Sequence, residues 1–333
     1  MADDNLDWIL DDLSPDLDTA NAKPVTVLTG FLGAGKTTLV NRILAEEHGL
    51  RIAVLVNDFG EIDIDSELIV GVESGTVSLA NGCVCCEVRD DLISAIDSVL
   101  RADDSLDAIV LEASGVAEPI GIARTFTSPA YRGRIRLDGI VAVVDAEQLP
   151  AQTEDPATRD LVYAQIGFSD LVILNKIDLA DRSRIDEVRD FVLSRMPAVR
   201  IIETERAAVP YEILVGSGSF DPDDPRWSQS HEHDHDVGFV SWVYRRDGLF
   251  DSAAVESAIK LLPRSVYRIK GFLNAADEPD HRMLLQAVGM RGEVVPFDEW
   301  GDRHPTTALV IIADGQQVDR AEVEAILDAC LVQ

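Results

Sequence analysis

One short segment near the start of the chain constrains the fold more than any other. Residues 30–37 read Gly-Phe-Leu-Gly-Ala-Gly-Lys-Thr, a G-x-x-x-x-G-K-T pattern, and they lie between a β-branched run and a helical pattern. A strand, a glycine-rich loop and a helix in that order turn successive backbone N–H groups and the helix N-terminus toward phosphate oxygens. The segment therefore predicts a nucleotide-phosphate site on a parallel α/β sheet.

The residues of this loop have separate expected roles. The glycines let the backbone curl, Lys36 places a positive charge near the β and γ phosphates, and Thr37 is the expected Mg²⁺ ligand. The predicted nucleotide contacts of the loop are Gly30, Gly33, Ala34, Gly35, Lys36, Thr37 and Thr38.

Short β-branched runs alternate with helical patterns through the first two thirds of the chain. The runs lack strict polar alternation, which is typical of strands buried on both faces of a parallel sheet. We predict a doubly wound P-loop NTPase fold, α/β in class. Its predicted strands are 25–29, 51–57, 108–111, 139–144 and 171–174, and its predicted helices include 36–47, 89–101 and 182–194.

The last third predicts a smaller α+β unit, with helices on one face of an antiparallel sheet. Its predicted strands are 239–245, 265–273, 282–288, 293–296 and 307–312, and its predicted helices are 252–262 and 320–331. The chain then divides into an acidic mobile tail 1–22, a nucleotide domain 23–215, an acidic, His-containing linker 216–236 and a C-terminal domain 237–333. The acidic and apolar residues of the tail fit either disorder or a segment that folds on a partner.

A second motif indicates the base. Asn175, Lys176 and Asp178 form N-K-x-D directly after a predicted strand. A carboxylate here can accept hydrogen bonds from N1–H and the exocyclic amino group of guanine, two donors that adenine does not offer together. We therefore predict GTP as the ligand, through these three residues.

A third motif lies between the first two. Glu112-Ala-Ser-Gly115 follows a predicted strand, where an acid can hold Mg²⁺, directly or through water, and a glycine N–H can face the γ-phosphate. Lys36, Glu112 and Gly115 are the predicted catalytic residues of a GTPase with a slow basal rate. Asp58, Glu61 and Glu118 are candidates by position for the residue that orients water, and capping is the alternative role for Glu112.

Three of the four cysteines are clustered as Cys83, Cys85 and Cys86. Three adjacent thiolates suit Zn²⁺ and leave a fourth position open, whereas a closed structural site normally has four protein ligands. Redox chemistry is the alternative, because thiols near a helix N-terminus ionise readily. The linker adds His231, His233 and His235, which fit either a loose metal collector or a solvated polar segment.

The charge balance excludes some partners. The formal net charge is -31, from 60 acidic and 29 basic residues, so nucleic acid is not expected as a ligand. No apolar run is long enough to cross a membrane, and the first residues are acidic rather than signal-like, so we expect a soluble cytoplasmic protein. Such an acidic surface suits a high-salt cytoplasm, with an ordinary acidic protein as the alternative.

GFLGAGKTT, NDFGEIDID, NGCVCC, LEASGVAEP and NKID occur in this order, and RIKGFL lies in the C-terminal part. Together they resemble the CobW family of metal-centre GTPases, which includes zinc chaperones, cobalamin-biosynthesis proteins and nitrile hydratase activators. The resemblance implies GTP-driven delivery of Zn²⁺, or of Co²⁺, to a client metalloprotein. It implies a C-terminal domain of the CobW type, and Glu61 as a residue that completes or relays the metal coordination. Residues 203–206, Glu-Thr-Glu-Arg, lack the small residues of the family's base-contacting loop, so their contacts are left unassigned.

Two other classes of function stay open at this stage. One is a P-loop kinase or ATPase with structural cysteines, which the N-K-x-D motif disfavours. The other is a zinc buffer or sensor that binds GTP without turnover. A homodimer is also compatible with the sequence.

Overall fold

The computed structural model describes residues 22–46, 48–57, 76–79, 95–101, 105–117, 119–126, 133–215 and 238–332. Within these residues the backbone forms two sheets, one with seven strands and one with five. The predicted tail and linker lie outside the described residues, apart from Ala22, which belongs to the described part.

The first sheet is parallel throughout, with the order β3-β2-β4-β1-β5-β6-β7. Its strands are β1 Lys23–Thr29, β2 Ile52–Asn57, β3 Thr76–Leu79, β4 Ala108–Glu112, β5 Ile135–Asp145, β6 Leu171–Asn175 and β7 Arg200–Glu203. All five predicted strands are confirmed, and β3 and β7 were not predicted. Because β1 lies in the middle of the sheet, the loop that follows it emerges at the centre of the carboxyl edge.

Helices cover both faces of this sheet, as the doubly wound prediction requires. Leu39 and Ile43 of the first helix pack on the same side as Leu28, whereas Val25 and Val27 of the same strand face Ile96 and Ile122 on the other side. The helices are α1 Lys36–Ala45, α2 Pro119–Phe126, α3 Leu149–Glu154, α4 Arg159–Gly167, α5 Arg182–Arg195 and the short α6 Tyr211–Leu214, and residues 95–101 are also helical.

Four of these helices, α2, α3, α4 and the short α6, were not predicted. The predicted helix 36–47 ends earlier, at Ala45, and the first part of the predicted helix 89–101 lies outside the described residues. None of the helices among the described residues combines the length and hydropathy needed to cross a membrane.

The second sheet is antiparallel, with the order β11-β10-β9-β12-β8. Two helices cover one face, where Val255, Ile259 and Leu327 pack on Leu309 and Ile311. Its strands are β8 Phe239–Arg246, β9 Val266–Asn274, β10 His281–Val288, β11 Arg291–Glu299 and β12 Thr307–Asp314, and its helices are α7 Ser252–Ile259 and α8 Arg320–Asp328. The predicted α+β arrangement is confirmed.

The other face of the second sheet packs on the first domain. Val310 and Ile312 share a buried apolar cluster with Ile213 and Leu214. Beside this cluster, the guanidinium of Arg268 on β9 lies 2.6 Å from Asp138 Oδ2 on β5.

Further contacts fall at the starts of neighbouring parallel strands. Arg291 Nε donates to Asp170 Oδ2, just before β6, at 2.8 Å, and Arg200 at the start of β7 donates to the carbonyl of Gly289. The second sheet therefore docks at the amino edge of the parallel sheet and leaves the carboxyl edge to the glycine-rich loop.

Candidate functional site

The glycine-rich loop leads directly into a helix N-terminus. Helix α1 begins at Lys36, and Gly35 before it has a left-handed backbone with φ 111°. No side chain caps this helix among the described residues, so its first N–H groups face the loop. A Cβ on Gly35 would lie 2.4 Å from Asn175 Nδ2, so this close approach requires glycine. The result is a cradle for phosphate oxygens, as the sequence predicts.

Asn175 joins that cradle to a second loop. The side chain is buried at the end of β6, and its Nδ2 donates to the carbonyl of Ala34 at 2.9 Å. Its Oδ1 accepts a hydrogen bond from Ala207 N–H at 2.8 Å. One amide therefore fixes the distance between the phosphate loop and the loop that follows β7.

The loop after β7 lies beside the candidate nucleotide site, and the sequence analysis assigned none of its contacts. Its backbone turns sharply at Arg206 and Ala207, whose φ angles are 47° and 54°, and Ala207 is fully buried. Thr204 N–H donates to the carbonyl of Leu174 at 2.9 Å, which ties the loop to the N-K-x-D strand. Two small residues, Ala207 and Ala208, follow directly after the stretch 203–206, and Ala207 is the one that contacts Asn175.

The rest of the N-K-x-D motif is arranged at the same edge. Lys176 has a left-handed backbone, and its Nζ donates to Asp145 Oδ2 at 2.7 Å. Asp145 is buried at the end of β5 and also accepts hydrogen bonds from the N–H groups of Glu147 and Gln148. Asp178 is exposed on the short 3₁₀ turn Ile177–Leu179, so its carboxylate is accessible to a base.

Asp145 is a further candidate site residue, which the sequence motifs did not indicate. The signal in the sequence is the position of Asp145, because it is the first acid after the apolar run 140–144 and therefore lies at the carboxyl end of a buried strand. Polar residues at such strand ends are where open α/β sheets bind ligands.

Thr37 and Glu112 meet at the base of the loop. Thr37 Oγ1 donates to Glu112 Oε1 at 2.8 Å, and Glu112 is the last residue of β4 and is buried. A hydroxyl and a carboxylate form an all-oxygen donor pair, which is the chemistry that Mg²⁺ prefers. The residues that the sequence assigned to Mg²⁺ thus fit that ion.

The side chain of Lys36 folds back into the same loop. Its Nζ donates to the carbonyls of Gly30 at 2.8 Å and Phe31 at 3.3 Å, and the side chain is buried. The ammonium is therefore held inside the loop that curls around it, at the place where phosphate charge would be neutralised.

Gly115 also reaches the phosphate loop. A Cβ at this position would come within 2.6 Å of Leu32 Cδ2 and 2.8 Å of the Leu32 backbone nitrogen. The segment after β4 is anchored by Ala113 N–H, which donates to the carbonyl of Leu28 at 2.8 Å. The acid-x-x-Gly motif and the G-x-x-x-x-G-K-T loop are thus in direct contact.

The predicted thiolate site belongs to a part of the chain that the structure does not describe. Cys83, Cys85, Cys86 and Glu61 lie outside the described residues, and so do Asp58, Glu118, His231, His233 and His235. Among the residues that the structure does describe, no three His, Cys, Asp or Glu side chains are grouped so as to hold a metal ion.

The fold and this site define a nucleotide-binding protein of the P-loop class, and comparison with known proteins specifies it further. Residues 24–203 match the family described as CobW/HypB/UreG, nucleotide-binding domain. That match spans more than half of the chain, which therefore belongs to this family. Residues 239–331 match the domain described as cobalamin synthesis protein cobW C-terminal domain, so the resemblance found in the sequence is confirmed.

Curated relatives cover nearly the whole chain. A protein named zinc chaperone CobW from Sinorhizobium sp is 33% identical over 343 residues, covering 92% of this chain and 96% of the relative. Zinc chaperone YjiA of Escherichia coli (strain K12) is 32% identical, with 92% and 98% of the two chains covered. Zinc-regulated GTPase metalloprotein activator 1 of Dictyostelium discoideum is 30% identical, with 83% and 68% covered.

Proposed function

We propose that this protein is a GTP-binding and GTP-hydrolysing metallochaperone that takes up Zn²⁺ and delivers it to a client metalloprotein. The observation that carries the GTP part is the bridge made by Asn175 between the phosphate loop and the loop at Ala207, with Asp178 exposed beside it. A carboxylate in that position accepts hydrogen bonds from guanine N1–H and the exocyclic amino group. The names of the curated relatives support the zinc part.

Phosphate binding follows from the residues of the loop. The N–H groups at the start of α1 donate to the β-phosphate, and Lys36 Nζ exchanges its carbonyl partners in the loop for β and γ phosphate oxygens. Thr37 and Glu112 would hold Mg²⁺, which supplies neutralisation of the charge that develops on the phosphates.

Hydrolysis then requires mainly orientation. A water molecule attacks the γ-phosphorus in line, the bond from that phosphorus to the β–γ bridging oxygen breaks, and GDP and inorganic phosphate leave. Gly115 N–H donates to the γ-phosphate in this scheme. Asp58, Glu61 or Glu118 orients the water.

The metal is cargo in this proposal, and the C-x-C-C motif receives it. Cys83, Cys85 and Cys86 supply three thiolates, and Glu61 or a client ligand fills the remaining position. An open shell of this kind releases zinc more readily than a closed four-cysteine site, which suits transfer. The segment with His231, His233 and His235 is a candidate for collecting the ion.

The test measures phosphate release from GTP in the presence of Mg²⁺, first with no other metal and then with added Zn²⁺, Co²⁺ or Ni²⁺. The variants are Cys85→Ser and, as a matched control, Cys330→Ser. Cys330 is buried beside α8, and burial, followed by the charge of Asp251, raises the pKa of its thiol, so it keeps its proton and is a poor metal ligand. ATP in place of GTP tests the base preference in the same assay.

We expect the metal to change the rate in the wild type and in Cys330→Ser but not in Cys85→Ser. A metal effect that persists in Cys85→Ser contradicts the assignment of the motif. Phosphate release that is absent under every metal and client condition favours a GTP-responsive zinc buffer or sensor instead. Strong stimulation by Co²⁺ alone favours a dedicated cobalt-centre activator.

A further inference from the structure

A buried glutamine on α4 contacts the segment that follows β4. Gln165 is 1% exposed, and its Nε2 donates to the carbonyl of Gly115 at 3.0 Å and to the carbonyl of Ala117 at 3.3 Å. Its Oε1 accepts no hydrogen bond from the described residues. In this part of the chain, the carboxamide therefore serves residues 115–117 as a donor.

The same segment is held on its other side by the phosphate loop. The α-carbon of Gly115 packs so closely on Leu32 that a Cβ would lie within 2.6 Å of that side chain. Within the segment, Ala117 N–H donates to the carbonyl of Ser114 at 3.0 Å, which closes a turn. Val116, at the outside of this turn, is 41% exposed.

These contacts hold the two peptide groups that flank the α-carbon of Gly115. The Gly115 N–H belongs to the same peptide group as the Ser114 carbonyl, which accepts the hydrogen bond from Ala117 N–H. Gln165 holds the other end of this turn through the Gly115 and Ala117 carbonyls, and Leu32 packs on the α-carbon between the two peptide groups, so the direction of the Gly115 N–H is restricted. A glycine without such anchors has more backbone freedom than any other residue, and ordering it on ligand binding costs more entropy.

We propose that Gln165 is a positioning residue that holds Gly115 N–H ready for the γ-phosphate and thereby makes the site discriminate GTP from GDP. This inference rests on the GTPase function proposed above. GDP has no γ-phosphate, so the contribution of Gln165 falls on GTP alone. The distance in sequence is 50 residues between Gln165 and Gly115, so the contact exists only in the folded domain.

The experiment compares the affinities of the full-length protein for GDP and for an imido analogue of GTP, both with Mg²⁺. The test variant is Gln165→Met, which keeps the length of the side chain and removes the donor. The matched control is Gln152→Met on α3, because Gln152 lines the same small cavity beneath the phosphate loop as Gln165. Gln165→Glu is a second test variant, in which a carboxylate oxygen replaces the donor and faces the two carbonyls.

We expect the preference for the GTP analogue over GDP to fall about three- to tenfold in Gln165→Met, which is the effect of losing about one hydrogen bond. In Gln165→Glu the preference should fall at least as far. The GDP affinity stays within about twofold of the wild type, and Gln152→Met keeps the wild-type preference. An unchanged preference in the Gln165 variants overturns the proposal. An equal loss of affinity for GDP and for the GTP analogue also overturns the proposal, because general structural damage produces that result.

The wild-type measurement separates this proposal from the one it rests on. If the wild type binds both guanine nucleotides and the Gln165 variants show the same preference as the wild type, the positioning role is wrong. The proposed GTPase function is not contradicted by that result. Wild-type protein that binds neither guanine nucleotide overturns both.

Discussion

Single side chains at the nucleotide site serve two or more neighbours each. Asn175 contacts the phosphate loop and the loop at Ala207, and Asp145 accepts two backbone N–H bonds as well as the ammonium of Lys176. Removing one partner of a buried hydrogen bond costs about 1–3 kcal/mol, because the group left behind stays buried and unsatisfied. The geometry of the carboxyl edge is therefore sensitive to changes at a few positions.

Gly35→Ala is predicted to weaken nucleotide binding about tenfold or more. The new Cβ meets Asn175 Nδ2 at 2.4 Å, and φ of 111° is strained for alanine, so the loop must shift at the point where phosphate binds. Titration of GDP by calorimetry measures the change.

Gly33→Ala is the matched control for this prediction. Its φ is also positive, at 75°, but a Cβ there has no neighbour within 4 Å. We expect a stability loss of about 1–2 kcal/mol from backbone strain and a smaller loss of affinity than in Gly35→Ala. Equal losses of GDP affinity in both variants contradict the contact with Asn175 as the cause.

Local motifs predicted part of the site at this scale. The motifs indicated four candidates because each motif is adjacent in sequence to its strand or helix: Lys36, Thr37, Glu112 and Asn175. Gln165 was not found, since one glutamine in a helical pattern carries no local signal of a contact 50 residues away.

At the scale of elements, apolar runs predicted the central strands because both faces of a parallel sheet are buried. The strands that end at Thr29, Asn57 and Glu112 could be predicted from their apolar runs without any tertiary information. Strands β3 and β7 were missed because each has only four residues, and Arg200 and Glu203 give β7 charged ends. Length and composition at that level do not separate an edge strand from a loop.

Strand β9 shows a different reason why sequence falls short. Arg268 and Lys270 alternate along it, which is the pattern of a solvent-facing side, yet both are buried against the first domain. The predicted strand 265–273 is confirmed, but the partner that covers its charged face comes from β5, more than 120 residues earlier. Only the folded structure supplies that partner.

Arg268→Met is predicted to destabilise the protein by about 3–5 kcal/mol, since it leaves Asp138 buried with a weaker partner. Arg268 also donates to the carbonyl of Ile213 at 3.1 Å, whereas the ion pair between Asp138 and Arg136 spans 3.5 Å. Urea unfolding followed by circular dichroism measures the loss.

Arg303→Met is the control for the buried pair. Arg303 is 57% exposed and pairs with Asp298 at 3.3 Å, so its removal should cost less than about 1 kcal/mol. A cost for Arg268→Met as small as that of the control would show that the contact between β9 and β5 contributes little to stability.

At the scale of the whole molecule, two functions of the parallel sheet are kept at opposite edges. The carboxyl edge carries the phosphate loop, and the amino edge carries the second sheet with a buried group of charges that includes Arg136, Asp138, Arg268 and Lys270. A partner that contacts one edge of the sheet therefore does not have to displace what is bound at the opposite edge.

The buried Lys270 predicts a pH dependence of stability. Burial, reinforced by Arg136 and Arg268, lowers its pKa well below the ordinary value of 10.5. Between the folded pKa and 10.5 the unfolded chain binds more protons at this group than the folded chain, so the free energy of unfolding rises with pH. Urea unfolding at several pH values in that interval should show the rise in the wild type.

Lys270→Met should lose that rise, and Lys260→Met, at an exposed lysine of the same domain, should keep it. If Lys270→Met shows the same slope of stability against pH as the wild type, the effect has another source.

The net charge of -31 predicts that salt stabilises the protein. The Debye length falls from about 10 Å at 0.1 M to about 3 Å at 1 M, which screens repulsion between surface carboxylates. We expect the melting temperature to rise by several degrees from low to molar KCl in a thermal melt followed by circular dichroism. Equal melting temperatures in the two buffers would contradict both this prediction and the high-salt hypothesis.

Strand β5 contributes residues to both the amino edge and the carboxyl edge of the parallel sheet. β5 holds Arg136 and Asp138 near its start, and at its end Val143 and Asp145 line the space beneath the phosphate loop. In genetic terms β5 is pleiotropic: a substitution that shifts its register produces a nucleotide-binding defect and a domain-docking defect together. A mutant screen that seeks to separate the two functions should therefore draw its positions from the loops and from β9, and leave β5 unchanged.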